Sequence, residues 1–259
     1  MTPTRHTGEP ARVGPLLDPH ALLHGTDWAS LCHAYGSAED TPSTLTKLMD
    51  DEPAVRADAL QHLFNTVYHQ NSIYPATVPT TLYLAAILSE PRAATTLVDE
   101  RIGYRSAPPR PLRVLLLDWL GGIAEDVNDA VVAQLERVGF SLDGYPAMAE
   151  LRAQRPVILQ AVSAFLRDPD PATRHAAAIA AALLLDSPDL IRRADLPLLI
   201  RAASAETTDE RHRDRATDIL DACTTKTETA TLPSAAPHQE SQPTGRTTSG
   251  SPLTARSPS

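Results

Sequence analysis

A chain of 259 residues with 42% apolar residues is long enough to bury a substantial core, and with only 4% aromatic residues that core must be built from Ala, Leu, Val and Ile. The formal net charge of −9 argues against a general nucleic-acid binder, because a phosphate backbone repels such an average surface. Scarce glycine (11 residues) and abundant proline (23 residues) suit many short helices with proline at their starts and argue against a turn-rich β-sandwich.

Of the 23 basic residues only Lys47 and Lys226 are lysine, a bias that reads as a GC-rich coding sequence with no message about function. Cys32 and Cys223 lie far apart and without a surrounding motif, so no disulfide framework is indicated. The opening Met1–Arg12 carries no apolar core of the signal-peptide kind, and no stretch reaches the length of a membrane span. A cytoplasmic location is the expectation.

In chain order, residues 1–16 read as a polar, disordered arm. Leu17–His24 and Thr26–Ala34 read as two short helices capped by Asp18 and Thr26, and Thr41–Met49 as a third. At Asp50-Asp51-Glu52-Pro53-Ala54-Val55-Arg56 an acidic corner opens an apolar stripe of Ala59, Leu60, Leu63, Phe64 and Val67. The same device returns in Asp168–Leu185. There Asp168 or Asp170 caps, Pro171 occupies the first turn, and Ala172, Ala176, Ile179, Ala180 and Leu183 form one stripe. Alanine along that stripe lets a neighbouring helix come close, and Arg174 is placed to reach a carboxylate at a neighbouring junction.

Further acidic corners stand at Glu90, Glu125 and Glu206, so that units recur at intervals of about 40 residues, the period of an α-solenoid. Arg213 follows Arg174 by about that interval. The more apolar helix of each unit is expected at Val78–Leu88, Leu112–Ile123, Val157–Leu166 and Leu196–Ala203, with an insertion at Gly139–Gln154. From Thr224 onward the chain is Thr, Ser and Pro with almost nothing apolar, so 224–259 is expected to be disordered and 17–223 to be the folded unit.

The D-x-x-P-x-x-R-x-x-A-x-x-A-L pattern, present in modified form at Asp168–Leu183 and more loosely at Asp50–Leu63, resembles the HEAT-repeat family in its bacterial short-repeat form. The likeness spans roughly Thr41–Ala222, and the segments around Trp28, His33–Gly36 and Tyr68–Thr77 are similar to actinobacterial HEAT-repeat proteins. It implies an all-α, right-handed solenoid of about five helical hairpins of ~40 residues that binds other macromolecules. On this reading Asp50, Pro53, Arg56, Asp168, Pro171, Arg174 and Arg213 form a structural ladder.

The strongest candidate site is the segment Tyr68-His69-Gln70-Asn71-Ser72-Ile73-Tyr74-Pro75-Ala76-Thr77, a connection between helices dense in aromatic and hydrogen-bonding groups. Trp28, His33 and Tyr35 belong to an N-terminal cap that can pack near it. Tyr68, His69, Gln70, Asn71 and Tyr74 with the three cap residues then form either a recognition patch or a structural plug under the cap. His20 and His24 share a helix face, with Asp27 nearby, as do His62 and His69, but neither pair has the companions of a metal site. No metal or cofactor is expected. Arg101, Arg105, Arg110 and Arg113 make the most basic corner, and Glu206–Asp218 reads as a solvated helix face. Gly121-Gly122 permits close packing or a stop.

No motif of nucleophilic, phosphate-binding or metalloprotease chemistry occurs in the sequence. The leading expectation is a non-enzymatic, monomeric protein-binding scaffold, in a specific version an immunity protein against a basic bacterial toxin. The alternatives are a HEAT-like DNA glycosylase, for which Trp119 with Asp118 is the one aromatic–carboxylate pairing, a phycobilin-lyase-like protein, or a passive scaffold regulated through its tail.

Overall fold

The computed structural model describes residues 17–97, 109–207 and 210–229. These residues are mostly α-helical, as expected, with two short antiparallel β-ribbons. The expected arm at 1–16, the part of the basic corner that holds Arg101 and Arg105, and residues 230–259 of the expected tail lie outside the described residues.

The N-terminal cap consists of α1 (Pro19–Gly25), a single 3-10 turn (Trp28–Ser30), and the ribbon β1 (Cys32–His33) and β2 (Gly36–Ser37). The helix expected over Thr26–Ala34 is therefore absent. Thr26 does not open a helix there: its hydroxyl donates back to the Leu22 carbonyl at 2.8 Å and closes α1 instead. Gly36, at φ +127, then lets the chain reverse after Ala34-Tyr35. Beyond the ribbon follow α2 (Thr41–Lys47), α3 (Pro53–Thr66) and α4 (Thr77–Ala86), then the ribbon β3 (Thr96–Leu97) with β4 (Arg110–Pro111).

The second half holds α5 (Leu112–Asp126), α6 (Asp129–Arg137), α7 (Pro146–Ser163), α8 (Pro171–Leu185), α9 (Pro188–Arg193), α10 (Leu196–Glu206) and α11 (Glu210–Thr229). Proline sits in the first turn of α1, α2, α3, α7, α8, α9 and α10, where its missing N–H has no helical partner to lose. Two boundaries differ from expectation. Helix α7 begins at Pro146 and runs through Pro156, so the segment taken for an insertion supplies its first half. Helix α11 continues past residue 224 to Thr229.

Helices α3, α5 and α8 begin at the evenly spaced positions Pro53, Leu112 and Pro171, whereas α4, α7 and α10 follow them in turn. Helix α5 packs along α8, α7 lies against both α4 and α8, and α10 against α8. Between Glu90 and Glu125 the described residues hold one α-helix, α5, rather than a hairpin. The α5–α8 contact is close. A Cβ on Gly121 would stand 3.2 Å from Leu183 Cδ1 and 3.3 Å from Ala180 Cα, tight enough that Leu183 or the α8 backbone would have to give by a few tenths of an ångström. Helix α8 buries Ala176, Ala177, Ala178, Ala180, Ala181 and Ala182, and of these Ala180 stands opposite Gly121.

The repeated corner is the same object at both places. The Asp50 carboxylate accepts from Glu52 N–H at 2.9 Å, and Asp168 accepts from Asp170 N–H at 2.9 Å. Arg56 donates to the carbonyls of Asp50 and Asp51 at 2.7 and 3.0 Å, and Arg174 to those of Asp168 and Pro169 at 2.8 and 3.0 Å. The other guanidinium nitrogen reaches outward, from Arg56 to Thr95 and from Arg174 to Glu206 at 2.6 Å. Arg174 thus meets the carboxylate expected of it, whereas Arg56 meets a hydroxyl. Arg213 does not join this ladder. It is exposed, and Arg215, two residues on, turns inward to Glu125.

The units without that internal arginine use others. Arg92 donates to the Met49 carbonyl and Arg113 to that of Leu88, while Arg152 and Arg155 both reach Val127, at the end of α5. Each fork satisfies carbonyls that a helix terminus or corner leaves without a helical partner.

Candidate functional site

The structure divides the eight sequence-predicted residues into a buried and an accessible group. Trp28 is buried, and its indole N–H donates to the Leu23 carbonyl at 3.0 Å, closing the cap onto α1. His33 is buried as well. Its Nδ1 accepts from Tyr35 N–H at 3.1 Å, which leaves the ring proton on Nε2, directed at Asp40 Oδ1 3.2 Å away. Tyr68 points into the core, between Phe64 and Trp119, with its hydroxyl donating to Asp126 Oδ2. Burial first, and the Asp126 carboxylate second, push the Tyr68 phenol far above its ordinary range, so it remains a donor. Burial also raises the Asp126 carboxyl, and the hydrogen bond from Tyr68 works against that rise.

Tyr35, His69, Gln70 and Asn71 stay accessible. Tyr35 is 69% exposed, the highest value among the large apolar side chains of the described residues, and its ring meets His69 edge-on at 5.6 Å. Gln70 and Asn71 both adopt left-handed backbone conformations, at φ 51 and φ 60, which cost a residue with a Cβ more than glycine. Tyr74 is half-buried, and its backbone N–H donates to Thr77 Oγ1 at 2.8 Å.

Two backbone bonds stitch this turn to the ribbon, Ala34 N–H to Thr66 O at 3.0 Å and Ala76 N–H to Cys32 O at 3.1 Å. The structure therefore brings Tyr35 onto His69 and leaves Tyr68 facing the other way. It also brings in Asp40, which sequence reasoning missed, and His62, which it weighed only as a metal ligand. Asp40 bridges His33 and, from its other oxygen at 3.9 Å, the half-exposed His62. Only recognition of the β1–β2 reversal signals that meeting, and a two-residue ribbon leaves almost no period to read.

The remaining candidates are occupied structurally. Trp119 is buried against Phe64 at 4.3 Å, whereas Asp118 is held by Arg110 and His212, both at 2.8 Å, so the pair does not line a common pocket. Arg113 lies over the Phe165 ring at 4.8 Å and 3.6 Å from Asp168. The His20 and His24 rings touch at 4.3 Å. Among the described residues no group of three or more His, Cys, Asp or Glu side chains is placed to hold a metal ion. The charge run Glu206–Asp218 is not a uniformly solvated face: His212 is buried against the His175 ring at 5.2 Å, and Arg215 pairs with Glu125.

No helix among the described residues is long and apolar enough to cross a membrane. Comparison of the chain with protein-family models, with curated proteins and with solved structures found no match.

Proposed function

We propose that the chain is a non-enzymatic scaffold of the HEAT type that recognises another protein through the patch formed by Tyr35, His69, Gln70 and Asn71. The duplicated Asp50–Arg56 and Asp168–Arg174 corners support the repeat reading, although α3, α5 and α8 begin 59 residues apart, at Pro53, Leu112 and Pro171, rather than about 40. One observation carries the site. Tyr35, the most exposed large apolar side chain among the described residues, is held against a turn that keeps two non-glycine residues in left-handed backbone. Tyrosine supplies a large contact surface at low entropic cost, and a stitched turn presents it already ordered. Strain of this kind persists where the surroundings over-determine it, and here the bonds to the ribbon and the burial of Tyr68 and Ala76 on either side hold the turn.

The test is capture of partners from the source organism by the full chain, by a Tyr35→Ala/His69→Ala variant, and by Leu198→Ala as a surface control, since Leu198 is 66% exposed on α10. One stoichiometric partner, kept by the control and lost by the double variant, is expected. Equal capture by all three baits, or capture of nothing, overturns the proposal.

A further inference from the structure

Helix α6 is bounded by local caps at both ends and yet buries none of its residues. At its start the Asn128 side chain accepts from Val131 N–H at 2.8 Å. At its end Gly139, at φ +89, donates to Glu136 O, and Phe140 donates to Leu135 O, both at 3.0 Å, the paired bonds of a Schellman stop. Asp129 is pinned through its N–H to Asp186 at 2.6 Å and through its carboxylate to Arg152. Between these ends none of the nine residues is buried. A helix this short owes its stability to packing of its apolar face rather than to propensity.

That apolar face is only partly covered by the described residues. Val131, Val132 and Leu135 are only partly buried. Just beyond, Val138 is 59%, Phe140 49% and Tyr145 40% exposed, and the Phe140 and Tyr145 rings hold one another edge-on at 5.9 Å. The result is a contiguous apolar ridge fixed by two caps and an aromatic pair.

Three exposed carboxylates come from the same stretch of chain, Glu136 on α6, Asp143 in the turn and Glu150 in the first half of α7, and none has an ion pair among the described residues. Arg137 is the one base on α6. An apolar ridge with carboxylates close by in the chain complements apolar anchors flanked by Lys or Arg, and the chain's net charge of −9 steers such a segment toward it. We infer that α6 and the Gly139–Tyr145 turn form a second docking surface, distinct from the Tyr35 patch, for a cationic amphipathic segment of a partner protein.

Two fluorescein-labelled helical peptides with one apolar face, flanked by lysines in one and by glutamates in the other, test this against the full chain by fluorescence anisotropy. The lysine peptide is expected to bind and the glutamate peptide not. Val138→Ser/Phe140→Ser should weaken the lysine peptide by about tenfold, equivalent to ~1.4 kcal/mol. Glu136→Lys/Asp143→Lys, which leaves the apolar ridge in place, should weaken it similarly and let the glutamate peptide bind. Binding of neither peptide, equal binding of both, or indifference to both variants overturns the inference. So does a wild-type dimer in light scattering that Val138→Ser/Phe140→Ser dissociates, since the ridge then serves a second copy of this chain.

Discussion

Two helices come to rest beside α5 and are held by opposite means. Helix α8 lies against Gly121 through alanine, with ten of its residues buried, and that contact is non-directional and indifferent to salt. Helix α11 buries His212, Ala216, Ile219 and Cys223 and otherwise reaches α5 through charge, from His212 to Asp118 and from Arg215 to Glu125. Arg192 adds a fork to the Cys223 carbonyl at 2.7 Å. The first helix is part of the core. The second adds Ala216, Ile219 and Cys223 to that core but reaches α5 through charge, and that part of its attachment responds to ionic strength.

The sharpest way to break the α5–α8 contact is Gly121→Leu. The new side chain must displace Leu183 and the α8 backbone at Ala180, both already within 3.3 Å of where its Cβ would stand. Overpacking of about 3 kcal/mol outweighs the ~1 kcal/mol that leaving glycine returns to the helix, for a net loss of about 2 kcal/mol in urea unfolding. A loss below about 0.5 kcal/mol would mean that α8 is free to shift and that the small-residue face is not what holds it.

Asp118→Asn attacks the other attachment. It removes the charge that faces Arg110 and His212, side chains that are 20% and 9% exposed, and about 1.5 kcal/mol should go with it. The loss should be local. Amides of α11 should exchange with solvent about tenfold faster while those of α8 stay as protected as before. Equal acceleration in both helices would erase the distinction between core and attachment.

That distinction also explains what the sequence discloses. Helices α3, α5 and α8 are legible because their apolar stripes, and in α3 and α8 their proline starts, are local, and the duplicated corner because Asp50–Arg56 and Asp168–Arg174 are spaced alike. The alanine of α8 correctly implies close approach, and Gly121 supplies the other half of it. The docking of α11 is not legible, because Asp118 and Glu125 stand some 90 residues from His212 and Arg215, where no spacing rule operates. Likewise the run of arginines, read as codon bias, proves to cap carbonyls at helix ends, and its meaning depends on which chain end lies within reach of each fork. At the candidate site, Tyr35 and His69 are legible as residue types. Their contact, and the inward turn of Tyr68, follow from a ribbon too short to leave a period and from the burial of Trp119.

The smallest effect separates charge from packing most cleanly. Arg215 and Glu125 are 32% and 45% exposed, so Arg215→Ala should cost only about 0.5 kcal/mol at low salt and nothing measurable near 1 M salt, where the screening length falls to ~3 Å. The same substitution carries a pH signature. Burial raises the Asp126 carboxyl, Glu125 adds to the rise, and Arg215 opposes it. A carboxyl raised in the folded state contributes most stability below its unfolded value and loses that contribution as pH rises through its folded value. Without Arg215 the folded value moves higher, so the variant should go on losing stability with rising pH after the parent has levelled off. Urea unfolding of both proteins between about pH 4 and pH 7 reads this directly. Parallel profiles would mean that Arg215 does not act on the Tyr68–Asp126 pair, and that the charge fastening α11 is independent of the buried hydrogen bond beneath it.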